Sequence, residues 1–351
     1  MTVNLRINPS FVLIGLGSIG KTHLKYILAN SGNVVVIDPD PSVMRYLESQ
    51  NLTSKVESFS SLESYQPKEK PEIAVIANWG PDHFPAIQKL KKLGATHLLV
   101  EKPLASKLQD LEELKKIHSH GDLKVITNMP ISQGPLPKRV QELQMNKKLG
   151  KVQTILVAGG AKCLVTNGVH YVGLASKIFQ SSPLSVVSSL ENHPINPRSA
   201  SFVFAEGNSN WQYGNGKSLS ISFSNNSHVQ LSINIICEYG KIIIEEDLAT
   251  VFCIPETDLE KIDKPTRTFY ASEVLETFEP YHYDGGLDGL GYLYERIRSL
   301  DPSVWDDFDH GFSSTEAVIG MLISNETSSK VELPIRPEIR KTFDDREWSI
   351  S

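Results

Sequence analysis

Three glycines in the stretch LIGLGSIGKTH (13–23), Gly15, Gly17 and Gly20, stand in the spacing G-x-G-x-x-G. The stretch follows a short apolar run, FVLIG (11–15), and opens a segment with helical spacing. An acid, Asp38, ends the next apolar run, VVVID, 18 residues after Gly20. This is the arrangement of a dinucleotide-binding turn. The first glycine permits the tight turn, the second lets a pyrophosphate approach the backbone, and the third lets helix and strand pack closely. Gly17, Ser18, Ile19 and Gly20 would then present the helix N-terminus, with its free N–H groups and positive dipole end, to phosphate. The competing reading is a tight strand–helix turn without a ligand. A carboxylate at Asp38 suits the ribose hydroxyls of NAD and repels the 2′-phosphate of NADP. Pro39, Asp40 and Pro41 supply no compensating cation, although Arg45 lies one helical turn on. The cofactor expected is NAD rather than NADP.

A second chemical feature is Glu101-Lys102-Pro103, directly after the apolar run HLLVE (97–101). Ligands of an open parallel sheet sit outside the carboxyl ends of its strands, which places Lys102 near the nicotinamide end of such a cleft. Pro103 disfavours helical geometry at Lys102. A lysine in a closed pocket beside a cationic nicotinamide can lose its proton near neutrality and then accept one from a substrate hydroxyl. By itself, a lysine after a strand also reads as a solvent-facing side chain.

The elements that must position these groups follow from hydrophobic patterning. FVLIG, VVVID, IAVIA (73–77), HLLVE and KVIT (124–127) read as buried strands. Between them, Ile19, His23, Ile27 and Leu28 share a helical face, as do Phe84, Ile87 and Leu90, with Asp82 as a cap and Gly94 as a stop. Leu108, Leu111, Leu114 and Ile117 form another face, with Ser106 and Gln109 placed as a capping box. Apolar strands alternating with helices predict a parallel sheet covered on both faces. After residue 128 the pattern changes. Helices are expected near 136–149 and 168–179, and a strand over VQTILVA. Strands follow at LSVVSSL, SFVFA, SLSISF, HVQLSINII, GKIIIEE and TVFCI, with GNSN, GNGK and SNNS as turns. Trp211 and Tyr213 are read as a hairpin tip available to a partner subunit. Helices near 288–300 and 314–327 close the chain. The predicted architecture is α/β: a dinucleotide-binding Rossmann domain over 1–127 and an α/β domain with an open, mostly antiparallel sheet over 128–351.

Composition bounds the function classes. The 351 residues carry a net charge of −6, with 40% hydrophobic and 22% charged residues, which describes a globular protein without the basic footprint of a nucleic-acid binder. No apolar run reaches the length of a membrane span, and the first residues do not read as a signal peptide. Cys163, Cys237 and Cys253 are odd in number and lack C-x-x-C spacing, so free thiols in a reducing, cytoplasmic setting are expected. The ten histidines are scattered, His118 and His120 at a solvated helix end, and no metal site is expected.

GLGSIGKTH, NWGPDH (78–83) and VEKPLA (100–105), together with the closing STEAVIGMLISNETSSKVELP, resemble the Gfo/Idh/MocA family of NAD(P)-dependent oxidoreductases across the whole chain. The resemblance implies a catalytic lysine at Lys102. It also implies that Asn78, Trp79, His83 and Glu101 lie along the cofactor groove, with a purely structural bond as the alternative for His83 and packing as that for Trp79. The family's D-x-G-x-H motif corresponds to Thr166-Asn167-Gly168-Val169-His170. His170 is therefore a second catalytic candidate, as donor or proton relay, or else a structural histidine near a helix start. Thr166 stands where the family has its Asp, and neither it nor Asn167 can replace that charge. Tyr171 is a conceivable substitute donor. Where family members often carry an Arg, this chain reads NMPISQGPLPK, with Asn128 at the strand end and no Arg before Arg139. The loop EPYHYDGGLDG (279–289), with Tyr281, His282, Tyr283 and Asp284, suits a polyhydroxylated ligand or simply a surface turn.

These readings imply an NAD(H)-dependent enzyme interconverting a secondary alcohol and a ketone on a sugar, sugar derivative or cyclitol. The alternatives are an NAD(H)-binding sensor, or a lyase or hydrolase that oxidises its substrate transiently. A homodimer or homotetramer formed through the open sheet is expected.

Overall fold

The computed structural model describes residues 10–30, 34–121, 123–145, 149–192, 204–262, 270–282, 288–299, 301–348 and 350. The chain divides into two compact units. Unit 1 comprises 1–129, 290–315 and 340–351, and unit 2 comprises 130–289 and 316–339.

Unit 1 is built on six parallel strands: β1 (Phe11–Ile14), β2 (Val34–Ile37), β3 (Val56–Phe59), β4 (Ile73–Ile76), β5 (His97–Glu101) and β6 (Lys124–Asn128). Their order is β3-β2-β1-β4-β5-β6, that of a dinucleotide-binding fold, whose strand order reverses between β1 and β4. β1, β4 and β5 are buried at every position, because helices cover both faces of the sheet. Those helices include α1 (Ser18–Asn30), α2 (Ser42–Ser49), α3 (His83–Lys92) and α4 (Leu108–Ser119). Ile27, Leu24 and Leu47 are buried beneath them. The half-exposed edge strand β3 carries too weak an apolar run, VESF, to be read from sequence.

Unit 2 holds β7 (Val152–Gly159), β8 (Ser185–Asn192), β9 (Ala205–Gln212), β10 (Ser218–Phe223), β11 (Ser232–Cys237), β12 (Gly240–Glu245), β13 (Leu248–Cys253), β14 (Glu273–Phe278) and β15 (Val331–Glu332). They form one sheet in the order β14-β13-β12-β11-β7-β10-β9-β8-β15. All its pairs are antiparallel except β7 with β10. Its helices are α5 (Pro130–Gln133), α6 (Pro135–Met145), α7 (Leu164–Phe179) and α8 (Glu256–Leu259). Three further helices follow: α9 (Gly289–Arg298), α10 (Phe308–Thr327) and α11 (Pro337–Phe343).

Several sequence readings are corrected. The chain after 128 is not one domain: residues 290–315 and 340–351 rejoin unit 1. Leu290, Leu293, Tyr294 and Ile297 pack into the same core as Phe11, Leu13 and Ile27. GNSN is not a turn but the middle of β9, paired with both β8 and β10. Its polar Asn208 and Asn210 face out while Ser209 and Trp211 face in, which is ordinary strand alternation. Trp211 and Tyr213 are therefore core residues, 0% and 3% exposed, and Tyr213 donates from its hydroxyl to Val172 O at 3.3 Å on α7. Ser106 does not cap α4, which starts after Lys107 without a side-chain cap bond. The Ser106 carbonyl instead accepts Trp348 N–H at 3.0 Å from the returning chain end. Asp82 precedes α3 but makes no cap bond either. His118 is not a solvated ring but stacks on Phe308, ring centroids 4.1 Å apart. Residues 201–203 of the expected SFVFA strand lie outside the described residues.

Candidate functional site

In unit 1 the candidate residues gather at the carboxyl ends of five neighbouring strands. Gly15 follows β1, Asp38 follows β2, Asn78 lies two residues past β4, and Glu101 and Asn128 end β5 and β6. The last two are direct register partners.

The three glycines divide their work as the spacing requires. Gly15 adopts φ +85°, and a Cβ there would lie 2.6 Å from Asn78 N, so the β1 turn rests directly on the β4 end. A Cβ on Gly20 would lie 2.1 Å from the Gly15 carbonyl oxygen, which brings α1 against the turn. Nothing lies within 4 Å of the corresponding position at Gly17. Gly17, Ser18 and Ile19 are exposed at the N-terminus of α1, Ile19 by 40%. Ile19 is thus on the open side of the helix, while His23 and Ile27 are fully buried. First-turn N–H groups of a helix lack intrahelical acceptors. An open backbone beside such amides is a cradle that fits a pyrophosphate.

Asp38 is oriented by the backbone. Leu16 N–H donates to its Oδ2 at 2.6 Å and Asp40 N–H to its Oδ1 at 2.8 Å. The carboxylate is therefore fixed beside the glycine turn, where the ribose of a bound dinucleotide belongs. Asp40 itself is held below the usual carboxylate range, chiefly by the Ser42 amide, with Arg45 and Lys21 nearby.

At the β4 end, Trp79 is 37% exposed, and buried Asn78 Oδ1 has no hydrogen-bond partner among the described residues. An orphaned acceptor at this spot fits a ligand that brings a donor. His83 is buried, with Nδ1 2.7 Å from Pro103 O and Nε2 3.2 Å from Asn78 O. It ties the NWG turn to the Glu101-Lys102-Pro103 turn. Burial lowers its pKa against the pull of the two carbonyls, which leaves a neutral ring able to donate to one of them.

Glu101 is 7% exposed and fully engaged. Its Oε1 accepts from His23 Nε2 at 3.0 Å and from Asn128 Nδ2 at 2.7 Å, and its Oε2 accepts from Lys102 N–H at 3.3 Å. Burial opposes its ionisation, but the bond to His23, its charge, Asn128 and Lys102 outweigh this and bring the pKa to about 2. His23 Nδ1 lies 2.8 Å from Tyr294 Oη. Both rings are completely buried. Neither was singled out as functional from sequence. The available signal was a histidine on an apolar helix face, which must find a buried partner.

Unit 2 carries the remaining candidates. Thr166, Asn167, His170 and Tyr171 all lie on α7. Thr166 and His170 are one turn apart, as are Asn167 and Tyr171. Thr166 Oγ1 donates to Cys163 Sγ at 3.4 Å, and Asn167 Nδ2 donates to Cys163 O at 3.0 Å. Both side chains thus serve the helix start. Tyr171 is 4% exposed, edge-on to Phe223 with centroids 6.1 Å apart, and its pKa is raised by burial and by Tyr281. His282 is exposed, 3.7 Å from Glu279. Tyr283 and Asp284 lie outside the described residues. Cys163, Cys237 and Cys253 form no disulfide and are buried. Among the described residues there is no group of three or more His, Cys, Asp or Glu able to hold a metal ion, and no helix long and apolar enough to cross a membrane.

Comparison with known proteins agrees with the fold. No curated protein matches the chain by sequence. Solved structures of similar fold include WlbA dehydrogenase from Bordetella pertussis in complex with NADH and UDP-GlcNAcA (TM-score 0.72, 16% identity, 95% of this chain and 100% of that one). Levoglucosan dehydrogenase in complex with NADH and levoglucosan is another (TM-score 0.69, 15% identity, 93% and 100%). A super-repressor mutant of the transcriptional regulator Gal80p from Saccharomyces cerevisiae is a third (TM-score 0.70, 16% identity, 93% and 97%). The fold therefore serves both dehydrogenases and a regulator. Residues 10–129, which hold the glycine turn, Asp38, Asn78 and the Glu101-Lys102-Pro103 turn, match GFO_IDH_MocA, the oxidoreductase family with an NAD-binding Rossmann fold.

Proposed function

We propose that the chain is an NAD(H)-dependent oxidoreductase that interconverts a secondary alcohol and a ketone on a sugar, sugar derivative or cyclitol. The observation that carries this reading is the convergence at one sheet end of an open glycine turn, a backbone-anchored Asp38 and Lys102. Gly17 and the first-turn amides of α1 would hold the pyrophosphate. Asp38 would accept from the adenosine ribose, and Asn78 Oδ1 would take a donor from the ligand. When bound, the dinucleotide supplies the hydride acceptor or donor. Lys102 takes the hydroxyl proton in oxidation and returns it in reduction. His170 is proposed as the second proton-handling group, and Asn128, Thr166, Asn167, Tyr171 and His282 as substrate-side residues. The sugar-like ligands of the WlbA and levoglucosan enzymes support the substrate class. A homodimer or homotetramer in the cytoplasm is part of the same reading.

One observation favours a second reading, a dinucleotide-binding sensor. Thr166, where the resemblance expects a carboxylate, is neutral and bonded to Cys163, and the fold also occurs in Gal80p. Absorbance at 340 nm with NAD and a panel of sugars, sugar nucleotides and inositols separates the two. Reduction with at least one polyol supports the enzyme. Tight NADH binding without reduction of NAD by any of them supports the sensor.

A further inference from the structure

We propose that Tyr294, His23 and Glu101 form a positioning chain for Lys102, completed only because helix α9 returns to unit 1. The proposal deepens the function above and rests on it for the importance of Lys102.

The geometry is a continuous line of hydrogen bonds. It runs from Tyr294 Oη to His23 Nδ1 at 2.8 Å, and from His23 Nε2 to Glu101 Oε1 at 3.0 Å. Asn128 Nδ2 closes on the same oxygen at 2.7 Å, while Oε2 receives Lys102 N–H at 3.3 Å. All four side chains other than Lys102 are buried, Tyr294 and His23 completely. His23 Nε2 donates to the carboxylate, and its Nδ1 pairs with the Tyr294 hydroxyl.

Tyr294 is also wedged in place by its neighbours. Its ring stacks on Tyr26 with centroids 5.8 Å apart and tilts against Phe11 at 6.1 Å. The hydroxyl is therefore aimed at His23 by packing rather than by chance of rotamer. A buried carboxylate is costly, and an apolar core of the same shape is often at least as stable. Here three buried groups, Tyr294, His23 and Asn128, fix one carboxylate at the residue immediately before Lys102. The groups that face this carboxylate are His23 from α1, Asn128 from β6, Lys102 from its own turn and His83 from α3, with Tyr294 from α9 acting through His23. The anion holds the Lys102 backbone through its N–H and interacts electrostatically with the Lys102 charge.

The test is amine reactivity, which needs no substrate. The full-length chain is labelled competitively with acetic anhydride across a pH series, and Lys102 is read by peptide mass spectrometry against surface lysines. Glu101→Gln should move the Lys102 midpoint down by about one pH unit, roughly a tenfold gain in labelling below the midpoint. Tyr294→Phe keeps the ring and removes one hydroxyl. It should shift labelling in the same direction by about threefold, and ¹⁵N spectra should show a changed Nδ1 signal of His23, which loses its Tyr294 partner. If Glu101→Gln fails to fold, Tyr294→Phe decides the matter alone. A folded variant of either kind with wild-type Lys102 labelling overturns the proposal. A shifted midpoint in a protein that reduces no polyol keeps the positioning chain and discards the enzyme reading.

Discussion

The same substitution at two glycines of one turn should separate folding from binding. At Gly20 an added methyl meets backbone: 2.1 Å to the Gly15 carbonyl oxygen and 2.9 Å to its carbon. Neither atom can rotate away, so α1 must shift off β1. Overpacking of this kind costs about 1–3 kcal/mol. Alanine returns about 1 kcal/mol of helix propensity. Because the obstacle is main chain, the upper part of the range applies, and Gly20→Ala should lose about 2 kcal/mol. For a unit of this size that is a fall in Tm of about 4–8 °C. At Gly17 the methyl meets nothing within 4 Å. Stability should stay within about 0.5 kcal/mol of wild type. The methyl would instead occupy the space proposed for pyrophosphate, and NADH affinity should fall at least about tenfold, or 1.4 kcal/mol. Denaturant unfolding followed by circular dichroism reads the first quantity, and NADH fluorescence titration the second. Gly17→Ala binding NADH as tightly as wild type would refute the assignment of this turn to phosphate. Gly20→Ala melting like wild type would refute the packing argument.

Further outcomes follow from the same geometry. Asp38→Ala should weaken NAD relative to NADP and also cost about 1–3 kcal/mol, because Leu16 and Asp40 N–H groups lose their acceptor; isothermal titration with both dinucleotides, beside a melt, checks it. Glu101 has a folded pKa of about 2, below its unfolded value, so its stabilisation is complete above the unfolded pKa and is lost as pH falls toward 2. Acid unfolding of wild type should therefore carry a component of about 3 kcal/mol that is absent in Glu101→Gln. Burial and Lys124 bring His97 down to about 4, so its stabilisation is likewise lost as pH falls, between its unfolded pKa and about 4; a ¹H NMR titration of His97 reads it. The three cysteines form no disulfide and are buried; a thiol reagent should titrate three per chain in denaturant and almost none in the native protein.

What was legible in the sequence is what depends on local spacing. Gly15, Gly17, Gly20 and Asp38 declare the turn because strand, glycines, helix and acid follow one another within a short stretch. The parallel sheet was legible because FVLI and IAVI are apolar at every residue and HLLVE is apolar through its middle three. The network under Lys102 was not, since Tyr294 and His23 are separated by 271 positions and no periodicity links them. The return of 290–315 to unit 1 was hidden for the same reason: helical spacing shows an apolar face but not the core it joins. GNSN misled because its composition suits turns, while its neighbours β8 and β10 impose strand pairing on it. Ser106 misled because its capping pattern ignores Trp348, which arrives from the chain end.

The central claim is that Lys102 moves the substrate proton in a dinucleotide-binding fold. Its most direct test is single-turnover absorbance at 340 nm, wild type against Lys102→Met, with any polyol that wild type oxidises. The account predicts unchanged NADH affinity and a rate lower by about 10²–10⁴-fold in the variant. Reduction in Lys102→Met at the wild-type rate would contradict it.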